Sequence, residues 1–477
     1  MRIVHLTTEL APLAKVGGLG DVTTGLAKGL LAEEEEVTVF LPFYDRIEKE
    51  KLSGLKRIEE SPIWEATFEG IPLRLVEDSL FKRGVIYGEE DDLLRFTTFV
   101  SLAMEAFHRW KERIDILHLH DWLTAFAAPL YHEKYRGMGL EIGGIVTTIH
   151  NMKYQGVCSP EKLAPFGVKG ELFADPGDPK KCNLLKGALL LSDALTTVSP
   201  TYAKEIEGDE GFGLGEIITK RQEAMKGILN GIETDYWNPA SDSFLKKRYA
   251  IEGESLSEVR EAKKENRKAL YKALNMDYDP APLFTAITRI VEQKGPEMIR
   301  FGIEYVLKKG GQFILLGSTP EPKLKEEFHA LAESYRDNPH VHFHFIFDEP
   351  LAHLTFAASD LILIPSLFEP CGLTQMIALR YGTIPIVHKV GGLSDTVFDI
   401  DHEEIPLEKR NGYTFDYPSN DSLSWSIDRA FEHLKNGPHK WELMMKNGME
   451  KDWSWKTPTL EYLELYRENK SSHLYRS

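Results

Sequence analysis

Short apolar runs separated by amphipathic helical patterns recur along most of this chain, and this alternation limits the folds open to it. In the first half the runs lie at residues 3–6, 37–41, 116–119, 144–149, 194–198 and 227–229. In the second half they lie at 283–288, 312–316, 341–347, 361–365 and 384–387. Between them, stretches such as 95–110 repeat apolar residues at intervals of three and four, as amphipathic helices do. The alternation predicts an α/β protein with parallel, doubly wound sheets.

The length of the chain predicts more than one domain. At 477 residues it is too long for a single hydrophobic core, so two domains are expected. The turn-rich stretch 236–243 is the predicted linker. Residues 60–88 alternate polar and apolar side chains, which predicts a meander added to the first sheet. Helices are predicted over the charged stretch 252–274 and after position 458.

Composition and charge exclude several classes of partner. Lys and Arg number 57 against 74 Asp and Glu, a formal charge of −17, which disfavours nucleic acid and an anionic membrane. A local cluster of cations can still hold an anionic small ligand. Three cysteines without CxxC spacing predict neither a disulfide framework nor a zinc knuckle. With no apolar stretch near the roughly 18 residues of a spanning helix and no signal-like start, a cytoplasmic protein is expected.

Residues 367–375 form the most informative motif. They follow the apolar run at 361–365 and precede a helical pattern, and α/β sheets bind ligands at the carboxyl ends of such strands. Glu369 supplies an ionised acceptor for sugar hydroxyls. The backbone amides from Gly372 to Thr374 would begin the helix with unpaired N–H groups. The motif predicts a site for a sugar that carries a phosphate.

A second motif, residues 15–22, lies between the first strand and the first helix. Gly17 and Gly18 allow a close approach of the backbone to a ligand, and Lys15 can place an ammonium on a phosphate. The motif is neither a dinucleotide fingerprint nor a P-loop. The alternative is a tight turn in which Asp21 caps the helix.

Polar residues also end two further strands. His118, His120 and Asp121 end one, and His150 with Asn151 ends another, so they are expected at the same edge of the sheet. Two imidazoles and a carboxylate could ligate zinc, but no further ligand follows at a suitable spacing, and no metal is predicted. Substrate binding or catalysis, and histidines satisfied within the core, both remain open.

Arg289 and Lys294 lie in one strand-to-helix loop that Gly295 closes. Two cations on one loop suit a diphosphate leaving group. The alternative is ordinary surface charge. Asn230 follows another apolar run, where Asn230 and Gly231 alone indicate only a turn.

Taken together, these motifs resemble those of bacterial glycogen synthases and plant starch synthases. The matching stretches occur in that family's order and cover nearly the whole chain, at residues 15–19, 118–122, 148–156, 197–202, 228–232 and 368–375. The resemblance implies a GT-B fold, in which two Rossmann-like domains face each other across a deep cleft. It implies an acceptor-side domain of residues 1–240 plus 457–477 and a nucleotide-sugar-binding domain of residues 241–456.

The resemblance also implies the reaction. Glucose would pass from ADP-glucose to the 4-OH at the non-reducing end of an α-1,4-glucan, either glycogen or a maltooligosaccharide, with retention and without a metal or other cofactor. The implied catalytic residues are His150, Arg289, Lys294, Glu369 and Asp121. The implied substrate-binding residues are Lys15, Gly17, Gly18, Asp21, Asn151, Asn230, Cys371, Gly372, Leu373 and Thr374.

In these implied roles, Lys15 contacts the donor phosphate and His150 holds the glucose 6-OH. Arg289 and Lys294 neutralise the ADP leaving group, and Glu369 binds glucose hydroxyls. Backbone at 371–374 cradles glucose and phosphate.

Two positions depart from relatives of the family. Position 16 is Val where many bacterial members have Thr, and position 377 is Ile where related retaining transferases carry a second Glu. The second departure argues against a general UDP-sugar transferase. A UDP-sugar-dependent retaining transferase and an inactive glucan-binding paralogue are the alternatives.

Overall fold

The structure is a computed structural model that describes residues 1–253, 255–346 and 348–470. The chain forms two compact units. The first comprises Met1–Gly231 and the chain from Trp455 onward, and the second is Ile232–Ser454. Position 347, in the predicted strand 341–347, and positions 471–477, in the predicted N-terminal domain, lie outside the described residues.

The first unit is built on one large sheet. Its strands are β1 (Arg2–Leu6), β2 (Glu36–Pro42), β3 (Ser53–Arg57), β4 (Ile63–Phe68), β5 (Ile71–Val76), β6 (Ile114–His120), β7 (Ile142–Ile149), β10 (Ala194–Thr197) and β11 (Met225–Gly227); β8 (Val157–Cys158) and β9 (Cys182–Asn183) pair separately. The order is β11-β10-β7-β6-β1-β2-β5-β4-β3. Neighbours run parallel except that β4 is antiparallel to both β3 and β5. The antiparallel part confirms the predicted meander, which spans residues 53–76 rather than 60–88.

The helices of this unit are α1 (Gly18–Ala32), α2 (Asp92–Trp110), α3 (Trp122–Ala125), α4 (Ala127–Leu130), α5 (Leu184–Leu191), α6 (Pro200–Glu205) and α7 (Gly215–Lys220). The central strands are almost wholly buried, as in β1, where four of five residues are buried. Burial of this kind explains why the strands read as continuous apolar runs rather than as alternating patterns.

The second unit has a smaller, fully parallel sheet. Its strands are β12 (Leu283–Ile287), β13 (Gln312–Leu316), β14 (Val341–His344), β15 (Leu361–Ile364), β16 (Ile384–His388) and β17 (Tyr413–Phe415), in the order β14-β13-β12-β15-β16-β17. Its helices are α8 (Leu256–Ala273), α9 (Pro296–Lys308), α10 (Pro322–Ser334), α11 (Glu349–Ala358), α12 (Thr374–Arg380), α13 (Gly391–Thr396), α14 (Asn420–Asn436) and α15 (Pro438–Glu450). The strand at 413–415 is not among the predicted runs, because it contributes only three residues to the sheet edge.

The C-terminal helix α16 (Lys456–Asn469) belongs to the first unit. It packs against α1, where two glycines make room for it. A Cβ at Gly25 would lie 1.9 Å from the Trp455 indole nitrogen, and one at Gly29 would lie 2.0 Å from the Thr459 hydroxyl. The close approach therefore depends on glycine at both positions.

The stretch 236–243, predicted as the linker, lies within the second unit rather than between the two units. The Trp237 indole stacks on the His353 ring at a centroid distance of 4.0 Å, and Asp242 is buried with hydrogen bonds to His353 and Tyr381. The turn chemistry is present, but the aromatic and acidic residues within it are packed into the second unit.

Among the residues that the structure describes, no helix combines the length and apolar composition needed to cross a membrane. The three cysteines, Cys158, Cys182 and Cys371, are free and buried.

Candidate functional site

In the second unit the predicted ligand-binding loops follow β12 and β15, which are neighbours in the sheet although they are not consecutive in the chain. Such a reversal of strand order is where doubly wound sheets bind ligands. The Leu367 amide donates to the Gln293 carbonyl at 2.8 Å, and the Gln293 side chain donates to the Phe368 carbonyl at 3.1 Å. The two loops are therefore fixed to each other.

Gly295 shows how tightly the loops are joined. Its φ is +66°, and a Cβ there would lie 2.3 Å from the Pro365 carbonyl oxygen. Only glycine tolerates both the left-handed conformation and this contact.

Glu369 lies at the centre of these two loops of the second unit. Its side chain is 8% exposed and forms an ion pair with Lys294. The Ser366 hydroxyl donates to the same carboxylate at 2.8 Å, and the Gly392 amide donates to the Glu369 backbone carbonyl at 3.0 Å. The carboxylate is thereby held in one orientation, with its charge matched by an ammonium group.

Arg289 is different, because it is exposed and no other described residue hydrogen bonds or ion pairs with its guanidinium. The guanidinium is a rigid fork of donors that suits phosphate oxygens. The loop after β12 thus carries one cation paired with a carboxylate and one cation available for a ligand.

The helix α12 begins at Thr374, with Leu373 before it, and no described side chain caps its first turn. Gly372 has φ +74°, and a Cβ there would lie 2.5 Å from the Gln375 side chain. Gln375 in turn donates to the Cys371 and Gly372 carbonyls at 3.1 and 2.9 Å. The backbone at 371–374 is therefore rigid, as a binding loop requires.

In the first unit the reversal of strand order lies between β1 and β6, and the predicted motifs follow these two strands. The loop after β1 is organised by Glu9, whose buried carboxylate accepts the Val16 and Gly17 amides at 2.6 and 2.9 Å. Its other oxygen accepts the Tyr87 hydroxyl at 2.8 Å. Burial raises the Glu9 pKa, and these hydrogen bonds offset part of the rise.

Lys15 and Asp21 form an ion pair with an Nζ–Oδ1 distance of 2.7 Å. The helix α1 begins at Gly18 after Gly17, so Asp21 lies inside its first turn and makes no capping hydrogen bond. The alternative interpretation, in which Asp21 caps the helix, is wrong. The predicted binding residues Lys15, Gly17, Gly18 and Asp21 do lie on one short segment.

Asp121 directly follows β6 and adopts an unusual backbone, with φ +58° for a residue other than glycine. Its carboxylate accepts the His150 amide at 2.6 Å and the Asn151 amide at 3.3 Å. The Asp121 amide donates to the Thr148 carbonyl at 2.9 Å, which continues the pairing of β6 with β7. Backbone strain of this kind is commonly stored at functional sites.

The pKa of Asp121 is raised to about 7, because burial disfavours the charged form and the two amides compensate only in part. Burial also lowers the pKa of His150 to about 3, so its imidazole is neutral at physiological pH. The site therefore holds a neutral imidazole beside a carboxyl group that titrates near neutrality.

Three imidazoles form a hydrogen-bonded chain behind the strand ends. His150 Nε2 and His120 Nδ1 are 3.0 Å apart, and His120 Nε2 and His5 Nδ1 are also 3.0 Å apart. Within the described part of the chain, His5 Nε2 has no hydrogen-bond partner. We call His5, His120 and His150 the histidine chain. His118 lies beside it, bonded to the Tyr466 and Thr148 hydroxyls at 2.7 and 2.6 Å.

Side-chain nitrogens of His5, His118 and His120 lie within 4.8 Å of one another, as the ligands of a metal ion would. Both nitrogens of His118 and of His120 already have hydrogen-bond partners. The His118 and His120 rings also stack, with centroids 4.3 Å apart. An ion could bind only by breaking these bonds, so the arrangement suits a neutral hydrogen-bonded cluster better than a metal centre.

Asn230 follows β11 and is buried, and its Oδ1 has no donor within the described ranges. A buried polar atom without a partner is costly, so an unfilled acceptor here fits a residue whose partner is a ligand. Asn151 is already engaged, since its Oδ1 accepts the Lys153 amide at 3.0 Å.

Sequence reasoning missed His5 and Glu9. Both lie in or just after β1, where a single polar residue among apolar neighbours carries no recognisable spacing. The signal available was chemical: an ionisable side chain within or beside a predicted buried strand must find a partner or a function.

We expect His120→Ala to destabilise the protein, because it leaves a buried nitrogen unpaired on each of His5 and His150. Each unsatisfied buried group costs about 1–3 kcal/mol. Urea unfolding at pH 7.5 measures the change in the free energy of unfolding. The exposed His439→Ala is the matched control and should behave as the unchanged protein does.

Comparison with known proteins gives one consistent result. Residues 2–220 match a family model described as the starch synthase catalytic domain, and residues 272–442 match one described as glycosyl transferases group 1. The chain is 42% identical to a glycogen synthase of Protochlamydia amoebophila, over 98% of this chain and 99% of that protein. It is 37% identical to glycogen synthase 2 of Methylococcus capsulatus, over 97% and 99%.

A solved structure is also similar: the catalytic domain of starch synthase IV from Arabidopsis thaliana, bound to ADP and acarbose. It is 40% identical, with a TM-score of 0.92, over 98% of this chain and 99% of that one. This likeness confirms the predicted GT-B class of fold.

Proposed function

The chain belongs to the glycogen and starch synthase family of glycosyltransferases, and on this premise we propose that it transfers glucose from ADP-glucose to the non-reducing 4-OH of an α-1,4-glucan, with retention. The names of its relatives support glycogen synthesis, and ADP and acarbose bound to the Arabidopsis structure support the donor and acceptor classes. The observation that carries the proposal in this chain is the Glu369–Lys294 pair beside the exposed Arg289.

The second unit would bind the donor. Breaking the anomeric C–O bond builds negative charge on the departing diphosphate, and Arg289 and Lys294 would neutralise it. Because two cationic side chains supply this charge, no metal is required by the proposal. Glu369 would accept glucose hydroxyls, with its orientation fixed by Lys294 and Ser366. The rigid backbone at Cys371, Gly372, Leu373 and Thr374 would contact glucose and phosphate.

The first unit would supply the remaining contacts. Lys15 would approach the donor phosphate, with Asp21 holding its ammonium and Gly17 and Gly18 letting the backbone come close. His150 would hold the glucose 6-OH, and Asp121 would position His150 through its amide. Asn230 and Asn151 would lie beside the substrate.

The histidine chain supports one assignment of the proton on His150. If His150 donated from Nε2 to His120 Nδ1, His120 would in turn donate from Nε2 to His5 Nδ1. The proton of His5 would then lie on Nε2, as a buried N–H without an acceptor among the described residues. In the opposite arrangement His5 Nε2 carries only a lone pair, which is cheaper to leave unpaired. We therefore assign the proton of His150 to Nδ1, which would then donate to a sugar oxygen.

We propose that retention proceeds by front-face attack, in which the departing phosphate takes the proton of the acceptor hydroxyl. The roles proposed above for Asp121 and Glu369, positioning His150 and binding glucose hydroxyls, assign neither carboxylate as the nucleophile that a double displacement needs.

The test is to incubate the purified protein with ADP-glucose and glycogen and to follow ADP release together with incorporation of labelled glucose. We expect both signals, and Glu369→Ala should abolish them. Activity with UDP-glucose instead of ADP-glucose would overturn the donor. Glycogen binding without turnover of either donor would indicate a non-catalytic glucan-binding protein.

Chelation provides a separate prediction. Because Arg289 and Lys294 supply the positive charge, excess EDTA should leave the initial rate of ADP release unchanged. A rate that falls with EDTA and returns with added Mg²⁺ would contradict this.

We also propose a cytoplasmic location, where the three free and buried cysteines would remain reduced. The proposed partners are ADP-glucose and glycogen or maltooligosaccharides.

A further inference from the structure

The loop that carries Glu369 is attached to the neighbouring strand by a side chain. β15 ends at Ile364, before Pro365, which has no N–H to donate to a neighbouring strand. The carbonyl of the next residue, Ser366, accepts a hydrogen bond from His388 Nδ1 at 2.7 Å. His388 is the last residue of β16, the strand that pairs with β15. This contact therefore ties the start of the loop to the sheet beyond the last strand pair.

The direction of this hydrogen bond is fixed. A backbone carbonyl oxygen can only accept, so Nδ1 of His388 must carry the proton. Ser366 is fully buried and His388 is 5% exposed. Because a buried carbonyl without a donor costs free energy, the fold retains this contact. His388 therefore acts as a donor to the loop.

The imidazole of His388 is held in place by packing. Its register partner on β17 is Phe415, which is buried. The two rings stack with their centroids 5.5 Å apart and their planes inclined by 20°. The imidazole therefore has little freedom to turn Nδ1 away from the Ser366 carbonyl.

Ser366 transmits this restraint to Glu369. Its hydroxyl donates to the Glu369 carboxylate at 2.8 Å, while its own carbonyl accepts from His388. Lys294 contacts the same carboxylate oxygen that accepts from the Ser366 hydroxyl. The orientation of the carboxylate therefore depends on where the Ser366 backbone lies.

We propose that His388 is a positioning residue for Glu369. By holding the Ser366 carbonyl, it keeps the Ser366 hydroxyl where that hydroxyl orients the carboxylate for glucose; this rests on the proposed function. His388 acts through Ser366 and need not touch the substrate. Because Glu369 is assigned to the glucose of the donor, loss of His388 should impair the use of ADP-glucose far more than the binding of ADP.

Two substitutions separate hydrogen bonding from packing. His388→Phe keeps an aromatic ring against Phe415 but removes the donor. It should lower kcat/KM for ADP-glucose by about 10–10²-fold, because a small misplacement of a binding group can cost that much. His388→Asn places an amide N–H near the position of Nδ1 without a ring, and should keep most of the activity. The reverse order, with the Phe variant active and the Asn variant impaired, would overturn the proposal.

Binding of ADP is a measurement that a general structural defect would not spare. By isothermal calorimetry, Kd for ADP should be nearly unchanged in His388→Phe, although kcat/KM for ADP-glucose falls. The matched control is His353→Ala, since His353 is another buried histidine of the second unit and contacts Asp242 through Nδ1 at 2.7 Å. It should lower Tm without changing kcat/KM. Equal losses for ADP and ADP-glucose in His388→Phe count against a positioning role.

A double substitution tests the route through Ser366. Ser366→Ala removes the hydroxyl that contacts Glu369 and keeps the carbonyl that accepts from His388. If His388 acts through that hydroxyl, adding His388→Phe to Ser366→Ala should cause little further loss of kcat/KM. Losses that multiply in the double variant would show that His388 acts by another route.

A crystal structure of His388→Phe gives an outcome that does not depend on turnover. We expect the Glu369 carboxylate to have moved away from the Ser366 hydroxyl. A carboxylate in its original place overturns the proposal even if the protein is an active synthase. If the carboxylate moves but the unchanged protein does not turn over ADP-glucose, the positioning role stands and the proposed reaction fails. His388→Leu replaces His388→Phe if the latter does not fold, and the same outcomes apply.

Discussion

Arg289→Ala should lower kcat for glucose transfer from ADP-glucose by about 10²–10³-fold, the loss typical of removing one preorganised donor from developing negative charge. The side chain is exposed and has no partner among the described residues, so its removal disturbs no packing. Thermal stability should therefore stay the same while turnover falls. Initial rates of ADP release, with Tm measured on the same samples, test both statements.

Arg336→Ala is the matched control, since Arg336 is an exposed arginine of the same unit whose one ion pair among the described residues is with Glu333. It should retain full activity. Arg289→Lys should recover part of the loss, because an ammonium restores the charge but not the two-pronged geometry. A variant Arg289→Ala with normal kcat would show that Lys294 alone is sufficient for the leaving group.

Asp121→Ala is expected to lower activity by about 10²-fold, because the His150 backbone loses the acceptor that positions it. Asp121→Asn keeps an oxygen in the same place and removes the charge. Comparing the two separates positioning from electrostatics. If Asp121→Asn retains the activity that Asp121→Ala loses, the carboxylate acts by positioning His150 alone.

The same residue should give the protein a characteristic pH dependence. The folded pKa of Asp121, about 7, is above the value of roughly 3.9 for an unfolded chain, so the folded state binds the proton more tightly. The contribution of Asp121 to the free energy of unfolding is therefore fully present at low pH. It is lost as pH rises from the unfolded pKa to the folded pKa. Asp121→Asn should match the unchanged protein at pH 4 and be more stable at pH 8. Urea unfolding at both pH values measures the difference.

Asp115, at the other end of β6, provides a control of opposite sign. Burial raises its pKa, but the Arg2 amide at 2.9 Å and the Lys470 ammonium outweigh burial and lower it overall. Its stabilising effect is present above the unfolded pKa and is lost as pH falls. Asp115→Asn should therefore destabilise the protein at neutral pH without changing kcat.

Much of the fold could be predicted because parallel strands buried on both faces leave continuous apolar runs. The strands predicted at 3–6, 283–288 and 312–316 are found within one residue of these limits. The meander was predictable for the opposite reason, since one half-buried face leaves an alternating pattern. The last three residues of the second sheet, Tyr413–Phe415, were not predictable, because so short an edge strand leaves almost no pattern.

The linker prediction failed for a physical reason. Turn residues report local backbone geometry, and the Asx turns at Asn238 and Asp242 are indeed present. They do not report whether the turns are packed. Burial of Asp242 against His353 and Tyr381 depends on residues more than 100 positions away.

The candidate site was predictable where chemistry concentrates within a few residues, as at 15–21 and 367–375. The histidine chain was not, because it joins His5 on β1 to His120 on β6 and His150 after β7. Those positions meet only through the strand order of the sheet. The strain at Asp121, where φ is +58°, gives only a weak signal in sequence, since aspartate is enriched at positive φ but adopts it at few of its positions.

The position of α16 in the chain sets the order in which the two units can fold during translation. The first unit lacks one of its own helices until Lys456–Asn469 have been translated, and Tyr466 on that helix hydrogen bonds His118 beside the histidine chain. The second unit, by contrast, is encoded without interruption and is free to fold while synthesis continues. A nascent chain should therefore complete the second unit first and the first unit only once α16 has been made, so deletion of α16 alone would leave the first unit incomplete.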